Sequence, residues 1–459
     1  MKRAIYFFLL ILLIPKIVVL TSGCAQIMAP TGGARDTLPP ILLNTVPKTP
    51  AINFTGNRIN LYFDEYVHIE DLQQNLLVSP TPKKDPYIDF KLRSVTIRLR
   101  DTLEPNTTYT INLGNSIRDI NENNAIKDFR FVFSTGSVID SLSFSGKVQV
   151  AETGKIDSTI IVLLYKNPAD SAVRKEKPKY IARLDGQGNF SFQNLAAGEY
   201  KIYALKDEDR SRTYNSKTEL FAFADNPVIV NNNTSPVSLY AYAEEKDLPK
   251  AAAAEKKLRY TTRITTQKQD VLNDLILEFN RPLKNVDKQK IILTDTLNQP
   301  IRDVAITIDS TSKNLSIKTK WAQEANYKLI ILKDFAADTT GLVLVKSDTI
   351  RFKTKGETDY GIVKLKFVNF DITKNPVLQF VQNNEVVNSY PLTSETWTAN
   401  LFNPGEYEMR ILYDRNKNGV WDPGNFDKKI QPEKVFSISQ KFSVRENFEK
   451  DLDNIELPK

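Results

Sequence analysis

VTIRLRDTLEPNTTYTINL, residues 95–113, decides the fold. Val95, Ile97 and Leu99 alternate with polar residues, as do Tyr109, Ile111 and Leu113, and Pro105-Asn106-Thr107 punctuates the run between them. Successive side chains of a strand point to opposite faces, so a period of two marks strands with one face buried and the other wet. The stretch is therefore two strands joined by a turn. The alternation continues on both sides, in Ile59-Asn-Leu61-Tyr-Phe63 and in Phe131-Val-Phe133, with Pro, Asn, Asp and Gly between the runs. Amphipathic helices are not evident. The expected class is all-β, built from β-sandwiches.

Following the pattern along all 459 residues reveals a duplication. AEEKDLPKAAAAEKK, 243–257, reads as a linker at the midpoint. On its two sides Tyr109 and Tyr327 are 218 positions apart, and Phe133 and Phe352 are 219 apart. GEYKIYALKDEDRSRTYN (198–215) aligns without a gap with GEYEMRILYDRNKNGVWD (405–422) at an offset of 207. The chain reads as A-B-A-B: sandwiches over 38–137, 138–243, 258–356 and 357–459, a linker at 244–257, and a tether at 24–37 behind a leader at 1–23.

In the first A segment Leu61, Phe63, Asp64, Pro105, Asn106, Thr107, Tyr109, Ile111, Asp119, Phe131, Phe133 and Thr135 stand as in the bacterial Ig-like domain of surface-layer proteins, which the segment resembles. The second copy is looser, with Ala325-Asn326-Tyr327 at the hairpin. The B segment, through DGQGNFSFQNLAAGEYKIYAL (185–205), resembles the prealbumin-like, carboxypeptidase-regulatory-like family. Asp185-Gly-Gln-Gly188 makes a tight turn, Phe190 and Phe192 share a face, and Leu195 plugs the core. The whole arrangement is similar to Ig-like domain lipoproteins, which implies an architecture more than an activity.

The sole cysteine stands in VVLTSGCAQ, 18–26. Met1-Lys2-Arg3, an apolar run from Ala4 to Leu20 broken at Pro15-Lys16, and small residues up to Gly23 form a three-part export signal. Lys16 argues against a spanning helix, because a lysine near the bilayer centre costs roughly 3 kcal/mol. The segment resembles the export signal of bacterial lipoproteins, with Leu20 one place further upstream than that family prefers. The resemblance implies cleavage between Gly23 and Cys24 and acyl chains on Cys24, hence anchoring at a Gram-negative outer membrane. An ordinary cleaved signal with a chance cysteine, or an uncleaved anchor, remain the alternatives. No acidic run follows Cys24, and a periplasm-facing chain is expected.

The charge of +7 falls to +4 without Lys2, Arg3 and Lys16, 59 basic against 55 acidic residues spread along strands, so no nucleic-acid partner is expected. LYDRNKNGVWDPGNFD, 412–427, has the spacing of an EF-hand-like loop: Asp414, Asn416 and Asn418 as oxygen donors, Gly419 at the sharp turn, the Val420 carbonyl, and Asp422 at the ninth place. Asn425 stands where the bidentate Glu belongs, with Asp427 near enough to replace it. Calcium is the expected ion, at about 0.1–1 mM; a loop closed by Asx-turns needs none. The copy from Asp207 to Asn215 has Arg212 in the glycine's place, and no metal is expected there.

Asp-Ser/Thr followed by Ala, Ile, Leu or Thr recurs nine times, making Thr37, Thr102, Ser141, Ser158, Ser171, Thr296, Ser310, Thr339 and Thr349 candidate O-glycosylation sites of exported proteins. The same tripeptide also suits a chain leaving a turn for a strand. Catalysis has little to stand on: His68 is the only imidazole, and neither a nucleophile elbow nor a phosphate-cradling glycine loop occurs. The expected function is a non-catalytic envelope lipoprotein, a β-sandwich rod with an envelope protein or cell-wall partner. A carbohydrate-binding adhesin would need Tyr62, Tyr66, Tyr240, Tyr242 or Trp421 as a flat stacking platform, and a glycan hydrolase would need carboxylates gathered from distant positions.

Overall fold

A computed structural model describes residues 35–246, 257–264 and 267–457. The leader through Gly23, the acceptor Cys24 and most of the linker at 244–257 lie outside the described residues. Within them the regular structure is almost all strand, apart from a few single helical turns. It divides into two compact units, one ending at Val138 and the other running from Ile139 onward, with Ser79–Thr81 counted to the second.

The first unit carries one hydrophobic core, from Ala51 to Phe133. One sheet runs in the order Leu42–Val46, Arg58–Phe63, Ser94–Arg98, Tyr87–Lys91. Ile59 faces Ile97 and Leu61 faces Val95 across it, and all four are fully buried. Facing them, Thr108–Gly114 pairs with Phe129–Ser134, setting Tyr109 against Phe133 with stacked rings at 5.3 Å. Each such fully buried aliphatic contributes about 1.5–3 kcal/mol, which is why the period-two pattern settles the pairing register.

Three large cores follow among the described residues of the second unit, from Phe144 to Ala241, Leu258 to Phe352 and Val363 to Leu457, with a small cluster of Val377, Leu412 and Val435 beside the last. The core beginning at Leu258 repeats the topology of the first unit: Tyr260–Thr262, Leu275–Phe279, Asn314–Lys318, Ala305–Ile308 in one sheet, and Tyr327 opposite Phe352 in the other. The remaining two repeat each other. Leu142–Val150 pairs antiparallel with Asn189–Leu195 and parallel with Val237–Ala241, and Gly361–Val368 does the same with Thr396–Phe402 and Glu449–Glu456. Gly146 allows the first of these parallel pairs, since a Cβ there would lie 2.1 Å from the Val237 carbonyl oxygen and 2.4 Å from the Phe190 ring. The two sandwiches of this second kind pack on each other although the Leu258–Phe352 core separates them in the chain, so within this unit the sandwiches are not strung end to end as a rod would have them.

Candidate functional site

The loop after Gly405–Tyr413 is built around Asp414, which is 1% exposed. Its carboxylate accepts the N–H groups of Lys417 and Gly419, both at 2.7 Å. Asn416 Oδ1 accepts from the Asn418 N–H and Asn418 Oδ1 from the Val420 N–H. The Asn416 and Asn418 amides then donate to Asp422 Oδ2 at 2.6 and 2.9 Å. All five residues named from the sequence thus meet in one loop, held together by their own hydrogen bonds. The twelfth place differs from expectation: Asp427 forms an ion pair with Arg174 at 2.9 Å, and Asn425 reaches toward Glu244 at 3.4 Å. Among the described residues no group of three or more His, Cys, Asp or Glu side chains is arranged to hold a metal.

Sequence reading missed Glu433. It is 2% exposed and accepts the N–H groups of Arg415 and Asp422 at 2.7 and 3.1 Å, closing the loop from behind. Burial, together with the charges of Asp414 and Asp422, pushes its carboxyl above the ordinary range against the pull of those two bonds. The copy has the same build. Asp207 accepts the Arg212 N–H at 3.0 Å, Asp209 accepts from Ser211, and Glu219 accepts the N–H groups of Asn215 and Ser216, both at 3.1 Å. Asp209 is held at about 2, first by the Asn215 amide. Burial again pushes Glu219 up, with Asp209 and Asp207 adding to it. The two glutamates escaped notice because the gapless alignment stops at 215 and 422, before either of them.

Beyond the loop, residues 424–431 form a tongue on the neighbouring sandwich. Phe426, 2% exposed, lies among Tyr203, Tyr214, Phe221 and Phe223 with ring centroids 5.0–6.2 Å away. The Lys429 ammonium sits 3.8 Å above its ring and the Arg174 guanidinium 5.4 Å, cation–π contacts whose charged ends stay open to water. Glu244, whose side chain is 4% exposed, accepts the Phe426 N–H at 2.9 Å and pairs with Lys217 at 3.6 Å. Gln431 donates to the Phe223 carbonyl and to Asp225.

A second junction joins the two C-terminal cores. Asp270 accepts from the Tyr360 hydroxyl and the Asn403 amide, both at 2.6 Å, and from the Leu272 N–H. Burial opposes its charge, but these donors and Asn273 outweigh burial and lower its pKa. Tyr360 is correspondingly pushed up, by burial first and then by Asp270.

Of the aromatics proposed as a platform, Tyr242 is 1% exposed, Trp421 donates to the Glu433 carbonyl at 2.8 Å, and the Lys434 ammonium covers Tyr240 at 4.1 Å. Tyr240 and Tyr242 sit at the junction, while Trp421 packs half-buried on Val377, Leu412 and Val435 of its own sandwich, so the three form no flat platform. Tyr62 and Tyr66 are half exposed in the first unit. His68 sits in the short strand Val67–Ile69 opposite Arg118. Eight of the nine Asp-Ser/Thr hydroxyl residues are exposed, and Thr349 is half-buried. Their aspartates turn the chain: Asp36, Asp157, Asp295 and Asp338 each accept the N–H two residues ahead.

Residues 36–135 match the family model of the bacterial Ig-like domain, which covers the whole core of the first unit. No curated protein matches the chain. Solved structures similar to it include BcpA, the major pilin subunit of Bacillus cereus, at 12% identity over 69% of this chain and 99% of that one, with a TM-score of 0.17. The Bacillus anthracis TIE protein is 10% identical over 93% of this chain and 75% of its own, TM-score 0.17. The MG0-NIE-MG1 part of native alpha-2-macroglobulin from Escherichia coli is 12% identical over 68% and 96%, TM-score 0.17. Overlaps this low align no functional residue with another.

Proposed function

We propose that the chain is a non-catalytic lipoprotein of the Gram-negative envelope, tethered to the outer membrane through Cys24 and facing the periplasm, whose β-sandwiches form a scaffold holding an envelope partner. The observation that carries the scaffold reading is the pair of junctions: the Phe426 tongue and the Asp270 bonds tie three cores into one compact unit. Buried aromatic contact and satisfied buried charge favour a fixed geometry over independent motion. Cross-linking and mass spectrometry in intact cells tests it; reproducible protein neighbours are expected, and retention by purified glycan alone would replace the scaffold with an adhesin. Digestion by protease added to whole cells would move the chain to the outer surface.

The adhesin reading has one observation of its own. An open groove of about 640 Å³ is lined by Asn226, Asn231, Thr234, Ser238, Tyr240 and Gln431, groups suited to sugar hydroxyls. Calcium at Asp414, Asn416, Asn418, the Val420 carbonyl and Asp422 is likewise proposed, supported by the one-to-six bond from Gly419 to Asp414. Calorimetry should show one millimolar site that Asp414→Ala removes. O-glycosylation at the nine hydroxyls is supported by their exposure; the intact mass of protein from its native membrane should exceed that of the acylated chain, and equality would dismiss it.

A further inference from the structure

In the first unit the chain enters and leaves at opposite poles. Leu42 pairs with Phe63 and Val46 with Asn60, so the first strand runs away from the arriving segment. The last strand, Phe129–Ser134, begins opposite Gly114 and ends opposite Thr108, at the far pole. The arriving segment is pinned by the Arg35 guanidinium on the Glu122 carbonyl at 3.3 Å and the Asn124 amide on the Asp36 carbonyl at 3.2 Å.

At that same pole Ile41, Tyr66, Leu92 and Ile120 are 60%, 48%, 62% and 53% exposed. Backbone bonds hold them together: the Ile41 carbonyl accepts from Asp64, that of Leu92 from Val67, and that of Tyr66 from Ile120. Leu92 occupies the two-residue turn between Tyr87–Lys91 and Ser94–Arg98 at φ 54°. Asn or Gly suits that position, and an exposed leucine is disfavoured both by the backbone and by water. The Arg93 guanidinium lies 5.3 Å over the Tyr66 ring, a pairing of amphipathic groups at home where apolar and wet surroundings meet.

We propose that this pole is a membrane-contacting tip, with Ile41, Tyr66, Leu92 and Ile120 entering the interfacial layer of the bilayer that holds the lipid anchor. The inference rests on the reading that Cys24 is acylated. Ten residues lie between Cys24 and the pinned Arg35, eleven Cα steps with a reach of at most about 40 Å, so the pole lies within tether distance of the bilayer. Both signs of charge occur here, in Arg93 and Arg118 and in Asp64 and Glu65, so the contact is with lipid tails and interface generally and calls for no anionic headgroup.

With Cys24 acylated, Leu92→Cys supplies a unique thiol for an environment-sensitive fluorophore. In the acylated chain on phosphatidylcholine vesicles, the label at 92 should shift to the blue and be quenched by lipid-borne quenchers. A label at Val138→Cys, 71% exposed beyond the far pole, should do neither. No shift at 92, or an equal shift at both, overturns the tip even if labelled palmitate is found on Cys24 and the anchor stands. If palmitate is absent, the anchor reading fails and flotation of the Cys24→Ser chain with vesicles decides: binding weakened about tenfold by Leu92→Asn upholds the tip, since asparagine keeps the turn while removing the apolar side chain, and absence of binding ends it.

Discussion

Asp338 shows how one carboxylate can hold a turn. Its side chain is fully buried and takes hydrogen bonds from the Thr340 N–H and hydroxyl, the Leu342 N–H and the Arg281 guanidinium. Burial opposes the charge, but these donors outweigh it and hold the pKa at about 2, below the roughly 3.9 of an unfolded aspartate. A depressed folded pKa gives stability that is complete above the unfolded value and is lost as pH falls through the folded one. Asp338→Asn should therefore lower neutral-pH stability and flatten its decline between about pH 4 and pH 2, as measured by urea denaturation. At Arg212, φ is 60° where the copy has Gly419 at 77°. Arg212→Gly retains the N–H bond to Asp207 and removes a side chain from the left-handed region, so a gain of about 1 kcal/mol is expected; Gly419→Arg should lose a similar amount. Asp414→Ala strands the N–H groups of Lys417 and Gly419 and should cost about 2 kcal/mol, read as a shift in melting temperature.

At the scale of elements, the strands were legible because one face of each is buried: Ile59, Leu61, Val95 and Ile97 carry their register in their spacing. The gapless repeat at 198–215 and 405–422 likewise placed the Asp414 loop and its copy in equivalent positions. Glu219 and Glu433 were not legible, because they close their loops from different distances along the chain and only three-dimensional closure brings them in. Phe426 was equally hidden. Nothing in GNFD distinguishes a solvated loop from a plug, since the pocket that buries it is supplied by residues about 200 positions earlier.

For the molecule from Ile139 onward, the tongue decides how many pieces unfold. Emptying the aromatic pocket by Phe426→Ala should cost about 3–5 kcal/mol and, beyond that loss, separate the melting of the sandwich bearing the tongue from that of the one receiving it. A calorimetric trace resolving into two transitions would be the sign. Wild-type protein, with the tongue and the Asp270 bonds in place, should melt with fewer resolved steps.

The parallel pairing of first and last strands in two of the sandwiches has a mechanical consequence. Gly146–Val150 lies alongside Val237–Ala241, with both strands running the same way, so a pull on the two ends of that sandwich draws them past each other lengthwise. Every rung of the ladder then resists at once, as in a lap joint under shear, where an antiparallel terminal pair would peel apart one bond at a time.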